Sequence, residues 1–558
     1  MGLMEALPLY LHGLKALALV LAVVLLVSGI DDLFIDLAYW GRRLWRFFAV
    51  YGRHARFNPR MLRKLDEKPL AILVPAWRAH GMAARMAERM LATLDYENYH
   101  VFIGLEANDA QTRREVGQAQ ARFSNVHPVV CARPGPTSRS DCLNEIVQAV
   151  FQFEQRAGLA FEGFVLHELQ DVPPPGELRV FNFLLGRKDL IQLPVYPLPR
   201  KWHELSGGHY LDELAEVNAK EAVMREALAG LVSGVGAGTC LSRRALVLLR
   251  QEGGGAAFDA HSLGGGAQGI AWRLKRHGLR AVFARLPAEA ASEEGSARPW
   301  GTVAVRRYFP ARFSAAVAHK SRGLAEMLQP GWGREGWRGA RPAMVYFLWR
   351  DRKGVVIHLA AFLAGLLALQ LIVLWAYGRR LPEVAHLMLG WKNDAWLAGL
   401  LLLLNAALLA NRLLQRLFFV TRCYGLAQGL LSLPRWPWGL AINAAASWQA
   451  LRRNRAAAHG LSSAWAPVLR DMPDPGRPGP ERKLLGQILV LQKALSPAQL
   501  ATALQAGVRG LRLGSQLVHQ GLISAEQLAM ALAAQGQVRW ERVDALALPS
   551  TLDRKSVV

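Results

Sequence analysis

Cysteine is scarce in this chain. The four present, Cys131, Cys142, Cys240 and Cys423, make no C-x-x-C pair. That excludes a disulfide framework and a thiolate zinc site, and it suits a reducing compartment. Negative charge is also sparse: 43 Asp and Glu stand against 67 Lys and Arg, a formal net charge of +24. No glycine run is followed by Lys-Ser/Thr, which rules out a Walker A loop. Residues 262–274, SLGGGAQGIAWRL, contain no carboxylate at all.

Hydrophobic residues, by contrast, reach 52%, high for a soluble protein, and three apolar runs have the length of membrane spans. The first covers residues 14–30 and continues into DDLFIDLAYW, so its helix is expected to outrun the apolar core; no small-residue cleavage site follows to make it a signal peptide. The second covers 355–378. The third, 396–410, is short and extendable into NRLLQRLFF. Residues 429–448 are interrupted by two prolines and an arginine and read as interfacial or re-entrant. Arginines crowd the segment after the first span, and Arg412, Arg416 and Arg422 follow the third. The positive-inside rule then places the N-terminus outside and both soluble regions in the cytoplasm. With so many basic residues flanking spans, anionic lipid headgroups account for the charge more simply than nucleic acid, and no nucleic-acid partner is expected.

Between the first two spans, strand patterns (LAILVPAW, HVFIGLEAN, VHPVVCAR, FEGFVLHELQDV) alternate with helix patterns such as GMAARMAERMLATL. This argues for an α/β domain with a mostly parallel sheet. The glycine run Gly264-Gly265-Gly266-Ala267-Gln268-Gly269 is a literal G-x-G-x-x-G with Glu289 downstream, but GGGAAFDAHSL is a poor preceding strand, so a surface loop is the favoured reading over a dinucleotide site. A proline-rich tether, 467–482, leads to an internal repeat whose halves align 28 residues apart, Ser496 matching Ser524 as helix starts.

The order of segments ILVPAW, EAND, CARPGPTSRSDCLNEI, HELQDV, VRRYFPARFSAAVAHKSRG and NRLLQRLFFVTRCYG resembles the inner-membrane family 2 glycosyltransferases, in the branch that includes phage adsorption proteins. The resemblance implies a GT-A (nucleotide-diphospho-sugar transferase-like) cytoplasmic domain inserted between transmembrane helices. It implies these divisions: first transmembrane helix 1–40, basic segment 41–68, GT-A domain 69–345, transmembrane and interfacial helices 350–450, linker 451–480, a small α-helical domain similar to MshEN modules 481–548, and a tail 549–558.

The chemistry implied is transfer of a sugar from a UDP-sugar-type donor with Mn or Mg on the diphosphate. The residues matching nucleotide-sugar positions are Asp109, Arg139, Glu168, Asp171 and Arg322, with Glu168 and Asp171 as metal candidates. The match is incomplete. Gln170 replaces an acid, Arg139 stands where lysine is usual, and Arg78-Ala79 replaces Asn-Glu. The Q-x-x-R-W position reads His319, Lys320, Ser321, Arg322, Gly323, and the catalytic-base position falls in the carboxylate-free 262–274. A shifted loop presenting Asp259 is a rescue that stays open. In the C-terminal module the resemblance implies cyclic di-GMP binding through Arg512, Leu513, Gly514, Leu517, Val518, Gly521, Leu522, Ile523, Leu528, Leu532 and Gln535. The first repeat is worn, with Leu484, Lys493 and Gly507 at its odd positions and Arg482 and Lys483 nearby. The expectation is a transferase-like component of exopolysaccharide or surface-glycan secretion, with a degenerate catalytic site, membrane-lipid contacts and an outer-membrane or periplasmic partner. An active transferase and a non-enzymatic signalling adaptor remain alternatives.

Overall fold

A computed structural model describes residues 3–53, 57–133, 135, 137–232, 236–258, 267–288, 301–328, 342–378, 395–457, 485–492, 494–505 and 513–536. Two compact units divide the chain, 1–474 and 475–558.

The first unit is built on a seven-stranded sheet. Its strands are β1 (Leu70–Ala76), β2 (Tyr99–Leu105), β3 (Val126–Val130), β4 (Gly163–Leu166), β5 (Leu190–Gln192), β7 (Thr239–Ser242) and β8 (Ala281–Phe283), in the order β3-β2-β1-β4-β7-β5-β8. A two-stranded ribbon of β6 (Val195–Pro197) and β9 (Val305–Arg307) stands beside it. β1 through β4 run parallel, as the uninterrupted apolar run LAILVPA requires of a strand buried on both faces. β7 runs antiparallel to both its neighbours, so the sheet is mixed rather than simply parallel. The side-chain period of two sorts the strand residues. Leu70, Ile72 and Val74 face one core with Val101 and Ile103, while Ala71 and Leu73 face the other with Phe102 and Phe164.

The helices that bear on the site are α1 (Leu3–Ala49), α2 (Ala83–Thr93), α3 (Ala110–Arg122), α4 (Arg139–Ala157), α5 (Glu177–Leu184), α6 (Leu205–Glu216), α7 (Ala222–Ala229), α8 (Arg243–Glu252), α9 (Ala267–Arg276), α10 (Phe313–Leu328), α11 (Pro342–Gly378), α12 (Ala395–Tyr424) and α13 (Leu426–Ala457). Among the described residues, His12–Ala49, Pro342–Ala376 and Trp396–Tyr424 are long and apolar enough to cross a membrane. Ile35 and Tyr39 of α1, Phe347 of α11 and Phe419 of α12 enter the same core as α4 and one face of the sheet. The soluble layer and the ends of the apolar helices therefore share one packed interior.

The proline-bearing stretch expected to be interfacial or re-entrant is not among the helices long and apolar enough to cross a membrane. α13 is one continuous helix with Pro434 and Pro437 inside it. Arg435, between them, is buried and reaches Asp212 of α6 at 2.7 Å, so packing against a neighbouring helix offsets the missing backbone donors.

The second unit holds two helix pairs, Leu485–Leu491 with Pro497–Gln505 and Leu513–His519 with Ala525–Gly536. The repeat is reproduced in the bonds that start its second helices. Ser496 Oγ accepts from Gln499 N at 3.2 Å and Ser524 Oγ from Gln527 N at 3.1 Å, and each glutamine side chain returns a bond to its serine backbone. Gly486 and Gly514 each pack against a leucine, Leu500 and Leu528 respectively.

Candidate functional site

Strand order fixes where a ligand site can form. The chain runs outward from β1 to β2 and β3, then returns to place β4 on β1's other side. A crevice opens at such a reversal, beyond the carboxyl ends of the strands. Arg78 follows β1 there with φ +49°, a left-handed backbone uncommon for a residue with a Cβ. Glu106 follows β2 and is fully buried. It takes a hydrogen bond from Thr137 Oγ1 at 2.5 Å, which fixes the loop leading into α4, and its Oε2 has no hydrogen-bond partner among the described residues.

Glu168 follows β4. Its backbone N–H donates to Asp171 Oδ2 at 2.7 Å, folding HELQD into a tight turn. Directly after it, Val172 bridges Arg306 through two backbone bonds, Val172 N to Arg306 O at 2.7 Å and Arg306 N to Val172 O at 3.0 Å. That bridge carries Arg307 across to the turn. Arg307 Nη1 donates to Glu168 Oε2 at 2.7 Å and lies 3.8 Å from Asp171 Oδ1. From the first turn of α4, Arg139 Nη2 sits 3.2 Å from the other oxygen, Glu168 Oε1. Gln170 also donates to Glu168 Oε2, at 3.1 Å. Burial would raise the Glu168 carboxyl, but the guanidinium ions of Arg307 and Arg139 hold it down to about 2. Behind this turn, His167 is fully buried between Asp171 (Nδ1 to Oδ2, 3.2 Å) and Glu177 (Nε2 to Oε2, 3.3 Å). Burial alone would lower its pKa, but the two carboxylates raise it to about 10.

α10 contributes His319 and Arg322. Tyr210 of α6 donates its hydroxyl hydrogen to Ala316 O at 3.0 Å, and the same oxygen lies 3.2 Å from His319 Nδ1. A hydroxyl has one hydrogen to give, so Nδ1 is the donor in the second contact. The Nε2 atom of His319 is then left with its lone pair. Burial and the charges of Arg307 and Arg322 push His319 down to about 4, so it is neutral at pH 7. The ring stands edge-on to Tyr210 and Phe309, with Arg307 over the Phe309 ring.

The structure thus brings together Arg139, Glu168 and Asp171, with Arg322 close enough for its charge to act on His319. Asp109 is instead the N-cap of α3, accepting from Thr112 N at 3.3 Å and from Thr112 Oγ1 at 2.7 Å. The expectation that Glu168 and Asp171 hold a divalent cation does not fit this geometry. Both Glu168 oxygens already face guanidinium ions, and among the described residues no three His, Cys, Asp or Glu side chains converge as metal ligands would. Sequence reasoning missed Arg307, Glu106 and His167. The doubled arginine in VRRYF was a visible feature, but only the Val172–Arg306 bridge sets its second member against HELQD.

Asp259, Glu289, the glycines 264–266 and Arg512 lie outside the described residues, as do Arg482, Lys483, Leu484, Lys493 and Gly507. Gly269 lies inside α9, the helix that follows the glycine run. Among the other cyclic di-GMP candidates, Leu517 and Ile523 are buried in the second unit's core, with Leu513, Val518, Leu522 and Leu528 packed against it. Gly514 is buried against Leu528, Gly521 (φ +68°) makes a left-handed turn, Leu532 is exposed, and Gln535 lies in the last helix.

Comparison with known proteins places these features in a family. Residues 68–325 match "Glycosyltransferase like family 2". Bacteriophage adsorption protein B of Escherichia coli (strain K12) is 46% identical over 557 residues, covering 99% of this chain and 74% of the relative. Bacteriophage N4 adsorption protein B of Escherichia coli O157:H7 gives the same figures. Among solved structures, the mannosyltransferase PcManGT from Pyrobaculum calidifontis in complex with GDP-Man and Mn2+ is 15% identical, with a TM-score of 0.43 over 78% of this chain and 99% of that one. S. aureus TarS 1-349 in complex with UDP-GlcNAc is 10% identical, with a TM-score of 0.28 over 69% of this chain and 92% of that one.

Proposed function

Because the chain belongs to the family of the bacteriophage adsorption protein B relatives, with a family 2 glycosyltransferase-like domain at its centre, we propose that it is a membrane-anchored, transferase-like component of surface-glycan synthesis or secretion. In this reading its crevice takes a nucleotide-diphospho-sugar but lacks the usual catalytic carboxylates. Its C-terminal helices answer to cyclic di-GMP, and a partner in the periplasm or outer membrane receives the glycan. The basic segments flanking the spans support an N-terminus outside and both soluble units in the cytoplasm, against anionic lipid.

One observation carries the degenerate-site reading. Glu168, at the position of a metal ligand, is held by Arg139 and Arg307, and Gln170 beside it is neutral. The test is a transfer assay on the full chain in detergent, with a panel of labelled UDP- and GDP-sugars and manganese, with and without cyclic di-GMP. Nucleotide binding without turnover is the expected result, and glycan product would overturn it. For the regulatory part, labelled cyclic di-GMP is expected to bind the full chain and to be lost in Arg512→Ala; a wild type that fails to bind removes the regulatory claim.

A second reading, an active transferase, is favoured by His319. Its Nε2 is unprotonated in the field of Glu168, and a neutral imidazole can orient an acceptor hydroxyl by accepting its hydrogen bond. Turnover that His319→Asn abolishes, with nucleotide affinity intact, would establish this reading in place of the first.

A further inference from the structure

The arginines at Glu168 do more than block a cation. A nucleoside diphosphate needs positive charge against its phosphates, and a divalent metal held by carboxylates is one way to supply it. Here the carboxylate that would hold the metal faces Arg307 at 2.7 Å and Arg139 at 3.2 Å. At such a separation a dication is repelled by a guanidinium twice as strongly as a monovalent cation is. A metal entering at Glu168 would meet this repulsion from two sides. Asp171 offers no better seat: Oδ2 already accepts from the Glu168 backbone and faces His167, while Oδ1 faces Arg307.

The two guanidinium ions are themselves suited to phosphate. Each has five N–H donors in a planar fork, and such forks bind phosphate in pairs of parallel bonds. Only part of that capacity is used. The Nε–H groups of Arg139 and Arg307 are both buried with no hydrogen-bond partner among the described residues. Counting Asp171 beside Arg307, the two guanidinium ions are matched by two carboxylates, so what the site offers a phosphate is unfilled N–H donors rather than surplus charge. The cluster follows β4 at the carboxyl ends of the parallel strands, where the strand order reverses.

We propose that Arg139, Glu168 and Arg307 form a metal-independent site for the diphosphate of a nucleoside diphosphate. The two arginines stand in for the cation, and Glu168 is the positioning residue that sets their spacing. This rests on the reading above that the crevice takes a nucleotide-diphospho-sugar.

The experiment is calorimetric titration of the full chain in detergent with UDP, GDP and UMP, each in excess EDTA and again in manganese. One of the diphosphates is expected to bind equally well in EDTA and in manganese, and more tightly than UMP does. Arg307→Ala and Arg139→Ala are each expected to weaken it about tenfold or more, while Glu168→Gln keeps measurable binding. The chelator comparison uses the wild type, so it stands even where an arginine variant fails to fold. Diphosphate binding that requires manganese and is lost in Glu168→Gln overturns this inference and leaves the transferase-like reading in place. UMP binding as tightly as UDP in EDTA also overturns it. No nucleotide binding under any condition, in protein with a cooperative thermal melt, overturns both.

Discussion

The ammonium of Lys220, 1% exposed, pairs with the carboxylate of Asp36 from the first apolar helix, 184 residues earlier in the chain. Lys220 lies in the π-helical turn Val217–Glu221 that follows α6, and it also bonds Glu216 at 2.7 Å. Burial works against its charge, but Glu216 and Asp36 raise its pKa. Around it, Asp31 and Asp32 of α1 pair with Arg350, Lys353 and Arg412 of the other two apolar helices. Removing one partner strands buried carboxylates. Lys220→Met is therefore expected to destabilise the chain by about 3–5 kcal/mol, and neutralising Asp36 and Glu216 in the same chain to recover most of it. Unfolding in detergent, followed by tryptophan fluorescence, measures both; equal stability of wild type and single variant would refute the coupling.

Gly104 of β2 has no room for a side chain. A Cβ there would lie 2.5 Å from Cys142 Sγ and 2.7 Å from Ile146 Cδ1, both on α4. Gly104→Ala should cost about 1–3 kcal/mol by overpacking. Trimming the neighbour with Cys142→Ala in the same chain should return part of it. Because α4 begins at Arg139, the single substitution should also weaken nucleotide binding.

His209 of α6 titrates far below its ordinary value. Burial and the positive charges of Lys320 and Arg416 push it down to about 3, against a smaller upward pull from Glu213. Its Nε2 donates to Asn443 Oδ1 of α13 at 3.1 Å. A folded pKa below the unfolded one means that the unfolded chain binds the extra proton first. Stability is complete above about pH 6.5 and is lost as pH falls toward 3. The thermal midpoint is expected to drop between pH 7.5 and pH 5, and to drop less in His209→Gln. An unchanged slope in the variant would assign the effect to other groups.

Thr137 holds Glu106 with a 2.5 Å hydroxyl bond and a 3.3 Å backbone bond. Thr137→Val keeps the shape and removes the hydroxyl. It should cost about 1–3 kcal/mol, since the carboxylate is fully buried. Thr137→Ser should behave almost as wild type in the same melt.

Much of the framework was readable without coordinates. The unbroken apolar run LAILVPA announces a doubly covered strand, DDLFIDLAYW a helix outrunning its apolar core, and Ser496 and Ser524 the starts of matched helices. β7 escaped because TCLS carries no mark of its direction; that depends on which neighbours it meets. That α13 stays continuous past its prolines was not legible, because proline propensity is local, whereas the Arg435–Asp212 contact that favours a continuous helix joins residues 223 apart.

The sequence by itself determined which side chains are not encoded: no carboxylate from 262 to 274, a glutamine at 170, an arginine at 139. Composition and order suffice for that, because a side chain that is not encoded cannot act. What stands around Glu168 and His319 was decided only by tertiary structure. Arg307 meets Glu168 across 139 residues because a two-bond bridge between Val172 and Arg306 sets the register. His319 keeps an unprotonated Nε2 because Tyr210, from another helix, gives its one hydrogen to a carbonyl. Both facts depend on hydrogen-bond direction between distant segments, which chain order does not encode locally.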